Sequence, residues 1–292
     1  GLRRVARSRA SQRKARVVAE RSMQNPTRTI AEAYDRIAEY YDLQWSGRVR
    51  GPQCRLTDGL GLSAGLRCAD LGCGTGVDTL DMAQRVAPAE VVAVDCSLAM
   101  LEALARRAQH AGLHISACHQ GAEEFIATAE RGSYDVLSLR FCLGYFDWPS
   151  VLARLPPLLA AGGRVGILTI LSSSAPQAYE TYQGMMDELG LPQAPLTALD
   201  SLEQLTQGLS HAGLDVDDAW VESFRLGFGS GPELAAWLRT SGIATAKGLP
   251  SAPAPLLDLL WSEFGRRVEA HRDEDVVPLD FHVAGVVASV PV

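Results

Sequence analysis

The chain has 292 residues, of which 47% are hydrophobic, and a formal net charge of −7. That is enough apolar material for one full core with elaborations. Its uncharged runs fall short of the ~18 residues a bilayer span needs, and the charged N-terminus has no apolar signal core, so a soluble cytoplasmic protein is expected.

Charge is uneven along the chain. Residues 1–22 hold eight Lys/Arg against one Glu, a charge of +7, which leaves −14 on the remaining 270 residues. An acidic body argues against broad contact with nucleic acid, and no membrane association is expected of it. The basic arm has two readings: contact with RNA, an anionic surface or an acidic protein, or no specific role. Six cysteines (Cys54, Cys68, Cys73, Cys96, Cys118 and Cys142) show no CxxC and no metal-ligand spacing. They read as buried, reduced thiols, and no metal is expected.

Taken in order, Leu2–Arg21 has helix formers with scattered apolar residues, and Asn25-Pro26 breaks any helix there. Ile30, Ala33, Tyr34, Ile37 and Tyr41 then recur at helical spacing, which predicts one amphipathic helix with its aromatic residues inward. Gly61–Gly65 is a turn into a first strand, Cys68–Leu71, which holds Asp70. Gly72, Gly74 and Gly76 follow at alternate positions, and a helical pattern (Leu80, Ala83, Val86) begins. Val91–Val94 reads as a buried parallel strand that stops at Asp95, where a carboxylate suits a bidentate hold on ribose hydroxyls.

Beyond Asp95, Ser97 caps a helix to Ala111, with Met100, Leu101 and Leu104 on one face. Ile115–Cys118 and Tyr134–Leu139 are the third and fourth strands, and Val151–Leu159 is a helix closed by a turn at Ala161-Gly162-Gly163. Arg164–Thr169 is the fifth strand. Helices are predicted over 178–189, 199–212 and 232–241 and up to about His271, with strands over 215–224 and 279–290. The alternation predicts an α/β fold, a Rossmann-like, mostly parallel seven-stranded sheet with helices on both faces.

Two cofactor classes share the strand–glycine turn–helix–strand–acid layout. A dinucleotide site wants G-x-G-x-x-G beneath a pyrophosphate. Here the spacing is G-x-G-x-G, and Asp70 would repel a pyrophosphate while suiting a ligand that bears an ammonium group. DLGCGTG followed by DCSLAML resembles the paired motifs of class I S-adenosylmethionine (SAM) methyltransferases. The resemblance implies SAM as cofactor, held by Asp70, Gly72, Cys73, Gly74, Gly76, Asp95, Cys96 and Met100. It also implies that Met100 packs on the adenine, and that Gln120, Ala122 and Glu123 stand where the family often has an adenine-binding Asp. The backbone at Arg140 and Phe141 would line the methionine part.

AYDRIAEYYD resembles the N-terminal helix that folds over the cofactor in related enzymes, and Met23 opens a stretch like a usual methyltransferase beginning. Tyr34 and Tyr41 are thus candidates for closing the pocket, or are plain core aromatics. The organisation expected is a basic extension over 1–28 and a methyltransferase domain over 29–292, with helical lid elements at about 171–212 and 226–272. SSSAPQAYETYQGM, ELAAWLRTSGIATAKG and VPLDFHVAGVVAS resemble the malonyl-acyl-carrier-protein O-methyltransferases of biotin synthesis. That likeness implies a carrier-tethered acyl or small-molecule acceptor, a possible acyl-carrier-protein partner, and a basic residue for the acceptor's carboxylate: Arg140, Arg239 or Lys247. A carboxylate acceptor needs no base, whereas a hydroxyl or carbon acid does. Tyr145, His282 and His119 are the groups to consider as catalytic; Tyr145 is equally readable as packing and His282 as a structural histidine. Natural-product O-, N- or C-methylation, a SAM-binding protein without transfer and an NAD-dependent dehydrogenase are the alternatives. Intact glycines and Asp95 speak against the second of these, and the glycine spacing against the third.

Overall fold

A computed structural model describes residues 26–45, 47–191, 198–243 and 254–291. The basic arm, Met23, Lys247 and most of the proline-rich turn before residue 254 lie outside the described residues. The described residues of Tyr34–Ser172, Thr197–Glu222 and His282–Val292 form one compact unit; those of Gly1–Ala33, Ser173–Leu196 and Ser223–Phe281 form a second.

Three helices, α1 (Pro26–Asp35), α2 (Ala38–Trp45) and α3 (Arg50–Gly59), precede β1 (Cys68–Leu71). An alternating series follows: α4 (Val77–Val86), β2 (Val91–Asp95), α5 (Leu98–Ala111), β3 (Ile115–His119), α6 (Ala122–Thr128), β4 (Tyr134–Arg140), α7 (Trp148–Arg154) and β5 (Leu159–Ile170). The chain continues through α8 (Pro176–Leu189), α9 (Leu202–His211), β6 (Asp215–Phe228), α10 (Gly231–Thr240), α11 (Ala254–Val268) and β7 (Val277–Ser289). The seven strands lie in the order β3-β2-β1-β4-β5-β7-β6. β1 to β5 pair in parallel and β7 runs antiparallel to β5, which is the mostly parallel α/β sheet the sequence predicts.

The order reverses between β1 and β4, so the loops leaving these two strands diverge and open a crevice at their carboxyl ends. Strand alternation sorts the core on the two faces. Ala69, Leu71, Leu137, Leu139, Val165 and Ile167 pack on one face with side chains of α6, α7 and α9. Cys68, Val91 and Val136 pack on the other with Leu60 and with Met82, Ala83 and Val86 of α4. Asp70, Ser138 and Arg140 follow the second set in alternation, so three polar side chains lie on that face near the crevice.

Three predicted elements need correction. The single helix through Ile30–Tyr41 is two, α1 and α2, with a turn at Arg36–Ile37. The helix over 151–159 starts at Trp148, gives way after Arg154, and continues as a 3₁₀ turn at Pro156–Leu158, because two successive prolines lack the N–H groups an α-helix needs. Ala161-Gly162-Gly163 is no helix cap but part of β5, where the pairing with β4 shifts register between Tyr134 and Val136. α9 contributes Leu205 and Leu209 to the core of the first unit.

Within the second unit, Phe224 stacks on Phe281 at 5.1 Å between ring centres, and Trp237 meets the same ring edge-on. Arg267 of α11 holds Glu188 of α8 through both guanidinium nitrogens at 2.9 and 3.0 Å. No helix among the described residues is long and apolar enough to cross a membrane.

In the first unit, Gly285 of β7 allows close approach of Trp220 of β6: an added Cβ would overlap the indole ring. The Arg55 guanidinium covers that ring at 4.2 Å from its centre. Gly285→Ala is therefore expected to destabilise the chain by about 3 kcal/mol in urea unfolding. An unchanged midpoint would show that the approach tolerates a methyl group.

Candidate active site

The glycine turn after β1 is built from three left-handed residues, Gly72, Gly74 and Gly76, with φ of 72°, 54° and 81°. They do different work. A Cβ on Gly72 would stand 2.8 Å from Cys142 Cβ, and one on Gly76 would stand 2.6 Å from Leu104 Cγ, so these two are needed for packing. A Cβ on Gly74 would meet nothing within 4 Å, so that side of the turn faces open space.

Asp95 closes the turn from the end of β2. Its Oδ2 accepts from Gly74 N at 2.9 Å and its Oδ1 from Ser97 N at 2.8 Å. Burial pushes its carboxyl above the ordinary range, and these two amides act against that shift. Ser97 accepts from Met100 N at 3.2 Å, which caps α5 as predicted, and Met100 itself is buried in the core. Gln120 N donates to the Asp95 carbonyl at 3.1 Å, which brings Gln120 beside Asp95. Ala122 is buried and Glu123 half-buried in the first turn of α6. Cys73 is half-buried in the turn, where burial and then the Asp95 charge raise its thiol; Cys96 is pushed up to about 12 by burial.

The residues that fasten α1 and α2 to this loop escaped the sequence reading. Asp35 accepts from Ser97 Oγ at 2.6 Å and from Ala99 N at 3.1 Å. Asp42 accepts from Thr75 Oγ1 at 2.6 Å and also pairs with Arg107. The repeated Tyr-Asp dipeptide, Tyr34-Asp35 and Tyr41-Asp42 seven residues apart, was the available signal. The turn at Arg36–Ile37 lets both carboxylates reach their partners.

The tyrosines form a cluster of their own. Tyr34 Oη lies 2.5 Å from Tyr145 Oη, and the Tyr34 ring meets Tyr41 and Tyr145 edge-on at 5.9 and 6.0 Å. Burial raises all three phenols above the ordinary tyrosine range, with the Asp95 charge adding to the effect at Tyr34 and Tyr41. At neutral pH all three phenols are therefore un-ionised, and one of Tyr34 and Tyr145 donates to the other.

On the polar face below the crevice, Asp70 is 2% exposed and accepts from Thr79 Oγ1 at 2.6 Å. Asp78 accepts from Gln53 Nε2 at 2.6 Å and from Arg140 Nη1 at 3.0 Å; burial raises its carboxyl and the Arg140 charge opposes the rise. Phe141, next to Arg140, has a left-handed φ of 56° and donates its N–H to Leu168 O at 2.8 Å.

Other candidates stand elsewhere. His282 lies on β7, where its carbonyl accepts from Leu171 N at 2.9 Å. His119 is exposed, with Nε2 at 3.0 Å from the Cys96 carbonyl. Arg239 pairs at the surface with Asp258 at 2.9 Å, and Arg140 with Asp78 at 3.0 Å. Of the cysteines expected to be buried, Cys68 and Cys142 are, while the other four are half-buried.

Two tests follow from this geometry. Gly74→Ala is expected to lower stability by only about 1 kcal/mol, from the left-handed backbone, yet to weaken S-adenosylhomocysteine binding roughly tenfold in calorimetry. Retained affinity would remove the ligand from that side of the turn. Because the folded pKa values of Tyr34, Tyr41 and Tyr145 lie above the unfolded value of about 10, their contribution to stability is complete below that pH and is lost as pH rises through the raised values. Absorbance titration at alkaline pH should show these phenols ionising together with loss of tertiary structure; ionisation near pH 10 in the intact fold would contradict the upward shifts.

Comparison with known proteins bears on the same residues. Residues 68–163 match a family model described as a methyltransferase domain, a span that runs from β1 into β5. The chain is 32% identical over 136 residues to Nocamycin O-methyltransferase of Saccharothrix syringae, covering 46% of this chain and 48% of that protein, so it spans about half of that relative's length. It is 26% identical over 272 residues to Malonyl-[acyl-carrier protein] O-methyltransferase of Marinomonas sp. (strain MWYL1), covering 90% of this chain and 94% of that one. Among solved structures, YcgJ of Bacillus subtilis shares the fold with a TM-score of 0.60 at 15% identity, covering 83% of this chain and 99% of that chain. The glycine turn and the acid at the end of β2 thus lie within residues 68–163, the span that matches a methyltransferase domain.

Proposed function

We propose that the chain transfers a methyl group from SAM to a small-molecule or carrier-tethered acyl acceptor, and that the reaction is carboxyl O-methylation of a malonyl thioester. The observation that carries the cofactor reading is the charge around the glycine turn. Asp42 and Asp78 are paired with Arg107 and Arg140, but Asp35, Asp70 and Asp95 are held by hydroxyl and amide donors. Such a surplus of carboxylate repels a pyrophosphate and favours a ligand carrying sulfonium and ammonium charges. The cofactor, when bound, supplies an electrophilic methyl carbon and a neutral thioether leaving group.

In this proposal Asp95 accepts from the ribose hydroxyls, Asp70 faces the ammonium group, and the open side of Gly74 admits the ligand's backbone. Gln120, Ala122, Glu123 and Met100 surround the adenine. Tyr34 and Tyr41 cover the cofactor, and Tyr145 contacts the acceptor. Neutral phenols beside the methyl group suit an acceptor that is already anionic, since a carboxylate needs no proton removed. His282 is then a structural residue of β7 rather than a general base. The protein's contribution to rate is to hold nucleophile and methyl group in line and to exclude water. The helical elements after β5 and β6 are proposed to select the acceptor, and an acyl carrier protein is the proposed partner. The similarity over 272 residues to a malonyl-carrier O-methyltransferase supports this choice. A second reading, O-methylation of a natural product, is favoured by the similarity to the nocamycin enzyme.

Incubation with methyl-labelled SAM, offering malonyl-carrier protein, a free malonyl thioester and a panel of small alcohols and amines, separates the two. Base-labile label on the malonyl group is the expected outcome. Label confined to an alcohol or amine would transfer the proposal to the second reading.

A further inference from the structure

Tyr34 and Asp35 are the last two residues of α1, and their side chains hold different loops. Asp35 accepts from Ser97 Oγ at 2.6 Å and from Ala99 N at 3.1 Å, where the chain leaves β2 and enters α5. Tyr34 Oη lies 2.5 Å from Tyr145 Oη, in the 3₁₀ turn Leu143–Tyr145 that follows β4. The strands behind these two loops are not neighbours: β1 lies between β2 and β4, so the fastenings stand about two strand spacings apart, ~10 Å. The glycine turn leaves β1 within that span. Asp42 of α2 fastens the turn itself, accepting from Thr75 Oγ1 at 2.6 Å.

Residues 34–42 thus cross the carboxyl ends of three adjacent strands and are held at each one. Little else holds them. α1 contains no fully buried residue and α2 only Ala38, so the segment is kept in place by polar bonds and by the edge-on rings of Tyr34, Tyr41 and Tyr145. A segment with so few buried apolar contacts opens at a small fraction of the cost of unfolding. Gly74 and Asp95 lie between the two banks, and the Asp95 charge acts on the phenols of Tyr34 and Tyr41, which sets the crossing close to that acid.

We infer that residues 34–42 are a gate on cofactor exchange: SAM enters and S-adenosylhomocysteine leaves when Tyr34 parts from Tyr145 and Asp35 from Ser97. The inference rests on the cofactor reading above and adds an element that sets rates. Each of these bonds joins protein to protein and includes no ligand atom, so weakening one lowers the barrier to entry and to exit alike. Its signature is faster exchange at nearly constant affinity. A residue that only contacts the ligand gives the opposite pattern, a loss of affinity through faster release.

The test loads the full chain with methyl-labelled SAM, chases it with unlabelled SAM to obtain the release rate, and follows association by rapid filtration. Tyr34→Phe keeps the ring and removes the hydroxyl; Asp35→Asn keeps an acceptor and removes the charge. Each is expected to raise both rate constants roughly fivefold, with Kd within about twofold of wild type. Tyr145→Phe should also speed exchange, and the double variant Tyr34→Phe/Tyr145→Phe should exchange no faster than Tyr145→Phe alone, because the two hydroxyls share one bond. Unchanged exchange in either the Tyr34→Phe or the Asp35→Asn chain overturns the inference. So does faster release with a matching loss of affinity, which would make the two residues ligand contacts and not a gate. A wild type that retains no labelled SAM would overturn the cofactor reading instead, a result distinct from both.

Discussion

The carboxylate of Asp95 accepts two backbone N–H groups, one from the glycine turn after β1 and one from the start of α5. Much of the site hangs on that double acceptance. It fixes Gly74 in a left-handed conformation with its open side outward, and it sets Ser97 where its hydroxyl caps α5 and donates to Asp35. Through Asp35, and through Asp42 on Thr75, the segment before the sheet is tied to the same loop. One half-buried acid thus organises a turn, a helix start and the approach of Tyr34 and Tyr41. Burial raises its pKa because the charged form gives up water for only two amides, and a ligand with hydroxyl donors would add to what stabilises that charge.

The electrostatics of the loop follow from which carboxylates have cations. Two are paired, and three rely on neutral donors. A site of that sign binds positive charge near its base, which is the physical basis for distinguishing a sulfonium cofactor from a dinucleotide here. The glycines divide their work: two give room to Cys142 and Leu104, and the middle one borders open space. Spacing alone does not reveal that division, because all three residues look alike in the chain.

Arg140 shows how a residue's role changes between chain and fold. At the end of a parallel strand beside the switch point, it reads as a cation available to an acceptor. In the fold its Nη1 and Nε are committed to Asp78, Gln53 and Ser138, and only Nη2 is left. Asp78 lies in the first turn of α4 and Gln53 in α3, and nothing in their local patterns marks either as a partner of position 140.

The local pattern of this chain determined the sheet strands, the glycine turn, the acid after β2 and the cap at Ser97, because each depends on a residue type at a fixed short spacing. An apolar run ending in Asp, alternate glycines and a serine before a helix carry their physics within a few residues. Tertiary structure alone decided what depends on distant partners. The break between α1 and α2 occurs between ordinary helix formers and accompanies the reach of Asp35 and Asp42 to residues 62 and 33 positions away. The inclusion of Ala161–Gly163 in β5 follows from pairing with β4 overriding a local glycine signal. Helix and turn propensities are weak, near 1 kcal/mol or less per residue, so buried ion pairs, hydrogen bonds and strand pairing override them wherever the two conflict.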